Sequence, residues 1–246
     1  MTVKEKLNME MEDLITYGPI TIVAFGDSVT HGALAGCIDY ETVYWNVLKQ
    51  KLNALRDSIP VNVINAGIAG LAAGNSLGRM ERDVLSHHPD LVIVCFGLND
   101  VNGELADYVA GLKTIFKACQ DCGAEVIFMT PNMLNTYVAD DVDPNFRDYA
   151  AVTAEHQNNG RMDLYMESAM AAAKEMGVTV CDCYSQWKKL YAEGADVTKL
   201  LCNRINHPDR PMHKLFADML FDCIMGTETF EPKALVNTMY QEEKAE

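Results

Sequence analysis

The sequence predicts a three-layer α/β sandwich around a five-stranded parallel sheet, on three observations. Five short apolar runs alternate with segments of helical hydrophobic period across most of the 246 residues. The third run, over 90–96, is continuously apolar, as in a parallel sheet covered on both faces. The first three runs end in Gly, Asn or Ser, the residues expected where a parallel sheet opens to ligands at its carboxyl rim.

Residues 3–17 space Leu7, Met11 and Leu14 for a leading helix that stops at Gly18-Pro19. The first strand, 20–25, delivers Gly26-Asp27-Ser28. Residues 42–56 place Val43, Val47, Leu48, Leu52 and Leu55 on one helical face. A second strand over 61–65 runs into Asn65-Ala66-Gly67, and a helix over 76–87 stops before Pro89. The third strand ends in Gly97-Leu98-Asn99-Asp100, followed by a helix over 104–122 that stops at Gly123. The fourth strand, 125–130, is broken by Pro131. The polar stretch that follows, about 132–163, reads as the main insertion at the rim, where long loops shape a pocket. Its Asp140, Asp141 and Asp143 lack calcium-loop spacing and read as solvated surface. A helix over 164–176, a strand over 178–183, a short helix over 185–193 and a closing helix over 213–225 complete the pattern. The tail, 227–246, is expected to fray.

With 49% hydrophobic residues the chain can bury a full core, and a single domain with its core over about 20–226 is expected. A formal net charge of −15 argues against nucleic acid or an anionic membrane surface as partner. No apolar run reaches the roughly 18 residues of a membrane span, and residues 1–17 lack a signal-peptide core, so a cytoplasmic protein is expected. The eight cysteines are expected to be reduced fillers; Cys119 and Cys122 have no second pair for zinc, and no metal or cofactor is expected.

Right-handed crossovers bring Ser28, Gly67, Asn99 and the loop before His207 to one rim. Each has an ordinary reading: Asp27-Ser28 and Asn99 as turn or helix-cap residues, Gly67 as a turn. Together they supply what acyl transfer needs, a serine beside an imidazole and N–H donors for an oxyanion. Of the six histidines, His31 follows Ser28 too closely, His87, His88 and His156 fall on helix or insertion surfaces, and His213 packs or caps. His207 alone sits in a rim loop.

Phe25-Gly26-Asp27-Ser28, Asn65-Ala66-Gly67, Gly97-Leu98-Asn99-Asp100 and His207-Pro208, in this order, resemble the four blocks of the SGNH/GDSL hydrolase superfamily. The resemblance spans about 20–226 and implies a flavodoxin-like sheet and esterase or lipase activity without metal. It further implies Ser28 as nucleophile, His207 as base, and an oxyanion hole from the Ser28 and Gly67 N–H groups with the Asn99 amide. The chain departs from the pattern where the family usually has an aspartate three residues before the histidine; here stands Arg204. Its side chain has no acceptor and must point away, which leaves three kinds of orienter for His207. These are a main-chain carbonyl in the 203–205 turn, favoured here, the amide of Asn203 or Asn206, and a distant carboxylate such as Asp182. The leading expectation is a serine esterase acting on a small-molecule or oligosaccharide acyl ester, with O-acetyl carbohydrate preferred. A lysophospholipase or thioesterase is the alternative enzyme, and a non-catalytic carbohydrate-binding protein the alternative outside enzymes.

Overall fold

A computed structural model describes residues 1–227, so the expected tail, Thr227 apart, lies outside the described residues. The strands are β1 (Ile20–Gly26), β2 (Val61–Gly67), β3 (Leu91–Cys95), β4 (Glu125–Met129) and β5 (Thr179–Cys181). The helices are α1 (Val3–Leu7), α2 (Leu14–Tyr17), α3 (Ser28–His31), α4 (Tyr44–Leu55) and α5 (Met80–Asp83), then α6 (Leu105–Asp121), α7 (Arg147–Asn158), α8 (Arg161–Glu175), α9 (Cys183–Ala192) and α10 (Arg210–Met225). All strand pairs are parallel, in the order β2-β1-β3-β4-β5. This is the flavodoxin-like order, and its direction reverses at β1, so the crevice between the β1 and β3 ends is the expected ligand position. Helix α4 packs with α10 and α6 with α8 to cover the sheet. β1 and β3 are buried almost throughout, which is why they read as unbroken apolar runs.

Three expected elements differ. The leading helix over 3–17 is broken, because Thr2–Glu5 and Glu10–Asp13 capping boxes start two separate turns. The break lets the buried Lys6 ammonium donate to the Tyr17 and Pro19 carbonyls and pair with Asp90 at 2.8 Å. The helix over 76–87 is three short pieces, 3-10 turns at Gly74–Arg79 and Leu85–His87 flanking α5. Here Arg79 turns inward, donating to the carbonyls of Ala66 (2.7 Å) and Gly26 (3.3 Å) with its guanidinium 4.5 Å from the Phe25 ring centre. The rim insertion holds the helix α7 as well as loop, and its Val142 and Ala150 form a small apolar cluster with Ile205 of the His207 loop.

All eight cysteines are free, with the Cys181 and Cys183 sulfurs 3.7 Å apart. Among the described residues no helix is long and apolar enough to cross a membrane. His213 is fully buried and its Nδ1 accepts from the Tyr44 N–H at the start of α4, a cap made by a side chain remote in sequence. Burial lowers its pKa to about 3, so it stays a neutral acceptor.

Gly26 and Gly67 face each other in register and sit in the tightest surroundings of any glycine among the described residues. A Cβ on Gly67 would lie 2.3 Å from the His31 nitrogen, and one on Gly26 2.5 Å from the Cys95 carbonyl oxygen. Since backbone cannot yield as a flexible side chain does, Gly67→Ala should destabilise the fold by about 1–3 kcal/mol. A lowered urea midpoint is the expected readout; an unchanged midpoint would show that α3 can move away freely.

Candidate active site

Ser28 is the first residue of α3, two residues beyond the end of β1. Asp27 caps this turn by accepting from the Val29 N–H at 3.0 Å. The Ser28 side chain nevertheless points across the rim, where its Oγ lies 2.9 Å from His207 Nε2. The capping function belongs to Asp27, which leaves the Ser28 hydroxyl for the histidine.

The His207 loop is closed by a bridge between Leu201 and Pro208 and folded around Asn203. The Asn203 Oδ1 accepts from the N–H groups of Ile205, Asn206 and His207 at 3.1, 3.0 and 2.9 Å. Two asparagines from the start of the insertion hold the loop from outside. Asn132 donates to the Asn206 carbonyl at 2.9 Å, and the Asn135 N–H donates to that of Ile205 at 2.9 Å.

The orienter of His207 is not among the groups named from sequence. Asn203 Oδ1 is taken up by three N–H groups, and Asn206 Oδ1 accepts from Asn203 Nδ2 at 2.9 Å. Asp182 caps α9, accepting from the Ser185 N–H at 3.1 Å and from Thr130 Oγ1 at 3.2 Å. In the 203–205 turn the Ile205 carbonyl already faces Asn135. His207 Nδ1 is buried and makes no hydrogen bond. The polar group that favours its protonated form is the main chain of Leu34, in the loop after α3. The main chain of that loop thus lies close to the ring, while no hydrogen bond to Nδ1 is made. Burial outweighs it and holds the imidazole below the usual histidine range. Arg204 points away as its chemistry requires: it adopts φ +59, donates to the Lys199 and Leu201 carbonyls, and pairs with Asp141 at 2.9 Å.

Gly67 also needs correction. Its N–H donates to its neighbour's side chain, Asn65 Oδ1, at 2.9 Å, and its missing Cβ serves the contact with α3. Gly70, three residues on, lies in the same cavity as Ser28, Asn99 and His207. It is exposed, has φ +81, and among the described residues no hydrogen bond engages its N–H. The signal was present as a second glycine in Gly67-Ile68-Ala69-Gly70, but sequence alone does not say which glycine faces the rim. Asn99 makes no capping bond; its Nδ2 donates to the Leu71 carbonyl at 3.1 Å with one N–H and keeps the other.

These groups line a cavity of about 790 Å³. Leu34, Ala35 and Gly36 form one wall, Ile205 and Arg204 another, and the insertion adds Phe146, Tyr149, Asp141 and Asp143. Two buried carboxyls lie nearby. Asp27 is pushed up to about 7 and Asp100 to about 6, both chiefly by burial, and each has one oxygen without a partner. Among the described residues no group of three or more His, Cys, Asp or Glu is placed to hold a metal ion.

Fold and site define a parallel, flavodoxin-like α/β sheet with a serine–histidine pair at the topological switch of its rim. The chain belongs to the GDSL-like lipase/acylhydrolase family, whose profile matches residues 24–215. It is 30% identical over 122 residues to an arylesterase of Vibrio mimicus, an alignment covering 47% of this chain and 58% of that protein. It is 37% identical over 81 residues to an uncharacterized lipoprotein of Bacillus subtilis, covering 32% and 31%. The chain thus matches less than two thirds of the length of either relative. Among solved structures, an acetylxylan esterase of Geobacillus stearothermophilus superposes with a TM-score of 0.66 at 21% identity, over 87% of this chain and 95% of that one. An α/β hydrolase enzyme from the metagenome of Lake Arreo, Spain, does so at 0.64 and 20%, over 85% and 97%.

Because burial disfavours the imidazolium, His207 should titrate below the ordinary value of about 6.5. The measurement is an NMR titration of the imidazole, assigned by comparison with His207→Gln; a midpoint above 7 would mean that a carboxylate faces the ring after all.

Proposed function

We propose that the protein is a serine ester hydrolase acting through Ser28 and His207. The reading rests on the 2.9 Å contact between Ser28 Oγ and His207 Nε2, made inside a cavity that also presents Gly70 and Asn99. His207 Nε2 takes the hydroxyl proton as Ser28 Oγ bonds to the acyl carbon, and the carbonyl oxygen becomes an oxyanion. The Ser28 and Gly70 N–H groups and the second Asn99 N–H receive that charge. The bond to the alcohol oxygen then breaks, and the imidazolium returns its proton to that oxygen. Water repeats the sequence on the acyl-serine, releasing the acid. The nearby Leu34 main chain favours the imidazolium, and burial of the ring opposes it.

For the substrate we favour O-acetyl groups on carbohydrate. Support comes from the polar rim of Asp141, Asp143, Asn203 and Arg204 beside the aromatic Phe146 and Tyr149, surfaces suited to hydroxyls and to the faces of sugar rings. The fold likeness to an acetylxylan esterase agrees with this reading. The apolar lining residues Leu34, Ile205 and Phe146 favour a second reading, a longer acyl chain as in a lysophospholipase or thioesterase. The eight free thiols favour a reducing, cytoplasmic setting.

Ser28→Ala should lower kcat by about 10⁴- to 10⁶-fold and abolish labelling by a fluorophosphonate probe. A variant retaining a tenth of the activity would overturn the assignment. In a panel of acetyl to octanoyl nitrophenyl esters, kcat/KM should fall with chain length; a maximum at octanoyl would select the second reading. Asn99→Ala should lower kcat by roughly 10²- to 10³-fold with a smaller change in KM, because a donor to the oxyanion acts on the transition state. Unchanged turnover per folded molecule would leave Asn99 with its bond to Leu71 alone.

A further inference from the structure

We infer that Asp100 is a positioning residue that fixes the oxyanion hole by holding the Gly70 turn to the end of β3. This rests on the reading of Gly70 and Asn99 as oxyanion donors.

The turn over 68–73 leaves β2 and crosses the rim, held near its end by the Ser76 Oγ and N–H, which donate to the Ala72 and Ala73 carbonyls at 3.0 and 3.1 Å. Its own backbone closure is a single long bond, Leu71 N–H to the Ile68 carbonyl at 3.4 Å, and residues 68–70 are exposed. At its start, the Ile68 N–H donates to the Gly26 carbonyl at 3.1 Å. At its end, Gly74 is pressed against α6 so closely that a Cβ on Gly111 would lie 2.9 Å from the Gly74 nitrogen. Between these fixed points two adjacent residues from the β3 end reach across. Asn99 Nδ2 donates to the Leu71 carbonyl at 3.1 Å, and Asp100 Oδ1 accepts from the Ala73 N–H at 2.8 Å.

The Asp100 contact is the stronger of the two. Its carboxyl is 5% exposed and Ala73 is fully buried, so an unmade bond there would strand a donor away from water. The Asn99 bond alone cannot fix the turn, because Asn99 is itself one of the groups to be aligned. With both bonds, the Gly70 N–H and the Asn99 amide are referred to consecutive residues of the turn that follows β3, and their separation is set by that turn. Oxyanion stabilisation depends on donors being in place before charge develops, so a turn free to shift by a fraction of an ångström loses turnover without losing substrate affinity.

The test compares Asp100→Ala, Asp100→Asn and wild type in hydrolysis of nitrophenyl acetate and in the rate of Ser28 labelling by a fluorophosphonate, below the melting temperature of each. Asp100→Ala should lower kcat about 10- to 100-fold with KM within threefold. Asp100→Asn, whose amide oxygen still accepts from Ala73, should recover most of the loss. Labelling should slow in parallel, since phosphonylation also places a charged oxygen in the hole. Should the alanine variant melt below assay temperature, Asp100→Ser, with a shorter acceptor, replaces it and is expected to give an intermediate kcat. Normal kcat in the alanine or serine variant overturns the inference while leaving the esterase reading intact. An asparagine variant as impaired as alanine also overturns it, since charge and not the Ala73 bond would then be what matters. A wild type that neither hydrolyses the ester nor labels at Ser28 overturns the underlying reading and the inference with it.

Discussion

The close approach of β1, β2 and α3 is the constraint on which the rest of the site depends. Helix α3 starts at Ser28 because nothing larger than hydrogen stands at Gly26 and Gly67, whose absent side chains would collide with the Cys95 carbonyl and the His31 nitrogen. Were α3 displaced outward, the serine would leave its place opposite His207. Arg79 reinforces the same junction, bonding the Ala66 and Gly26 carbonyls at the two strand ends and resting on Phe25. Its buried guanidinium does there what a longer backbone ladder would do, and its inward turn accompanies the break-up of the helix expected over 76–87.

The histidine is placed by a different logic. A triad would fix the imidazole through one strong charged partner. Here the loop itself is made rigid: Asn203 gathers three successive N–H groups, and Asn132 and Asn135 hold the loop to the insertion. Arg204, at the position where the family usually has an acid, ties the same loop to Asp141 across the cavity mouth. That pair is exposed enough to contribute little stability of its own, so its weight lies in relating the two walls.

What could be read in the sequence follows from what kind of group does each job. Strands β1, β3 and β4 announce themselves as apolar runs, and Ser28, Asn99 and His207 as polar side chains at their ends or in the last rim loop. The short 3-10 pieces around α5 were not legible, because Met80, Leu77 and Val84 keep a helical hydrophobic period while the inward turn of Arg79 depends on carbonyls from other strands. Gly67 and Gly70 are chemically identical, and only the three-dimensional path of the turn separates the packing glycine from the one facing the cavity. The Leu34 main chain is the extreme case: every residue has a carbonyl, so no residue type marks it.

The loop holding Leu34 is a tight turn, with the Leu34 N–H bonded to the Cys37 carbonyl at 2.8 Å, a bridge between Ala33 and Ile38, and Gly36 at φ +78. Its outer side chains are also a wall of the cavity. One short segment thus lines the cavity with its side chains and brings its backbone near the base. A change in the backbone path of that segment would alter the cavity wall and the surroundings of the imidazole together.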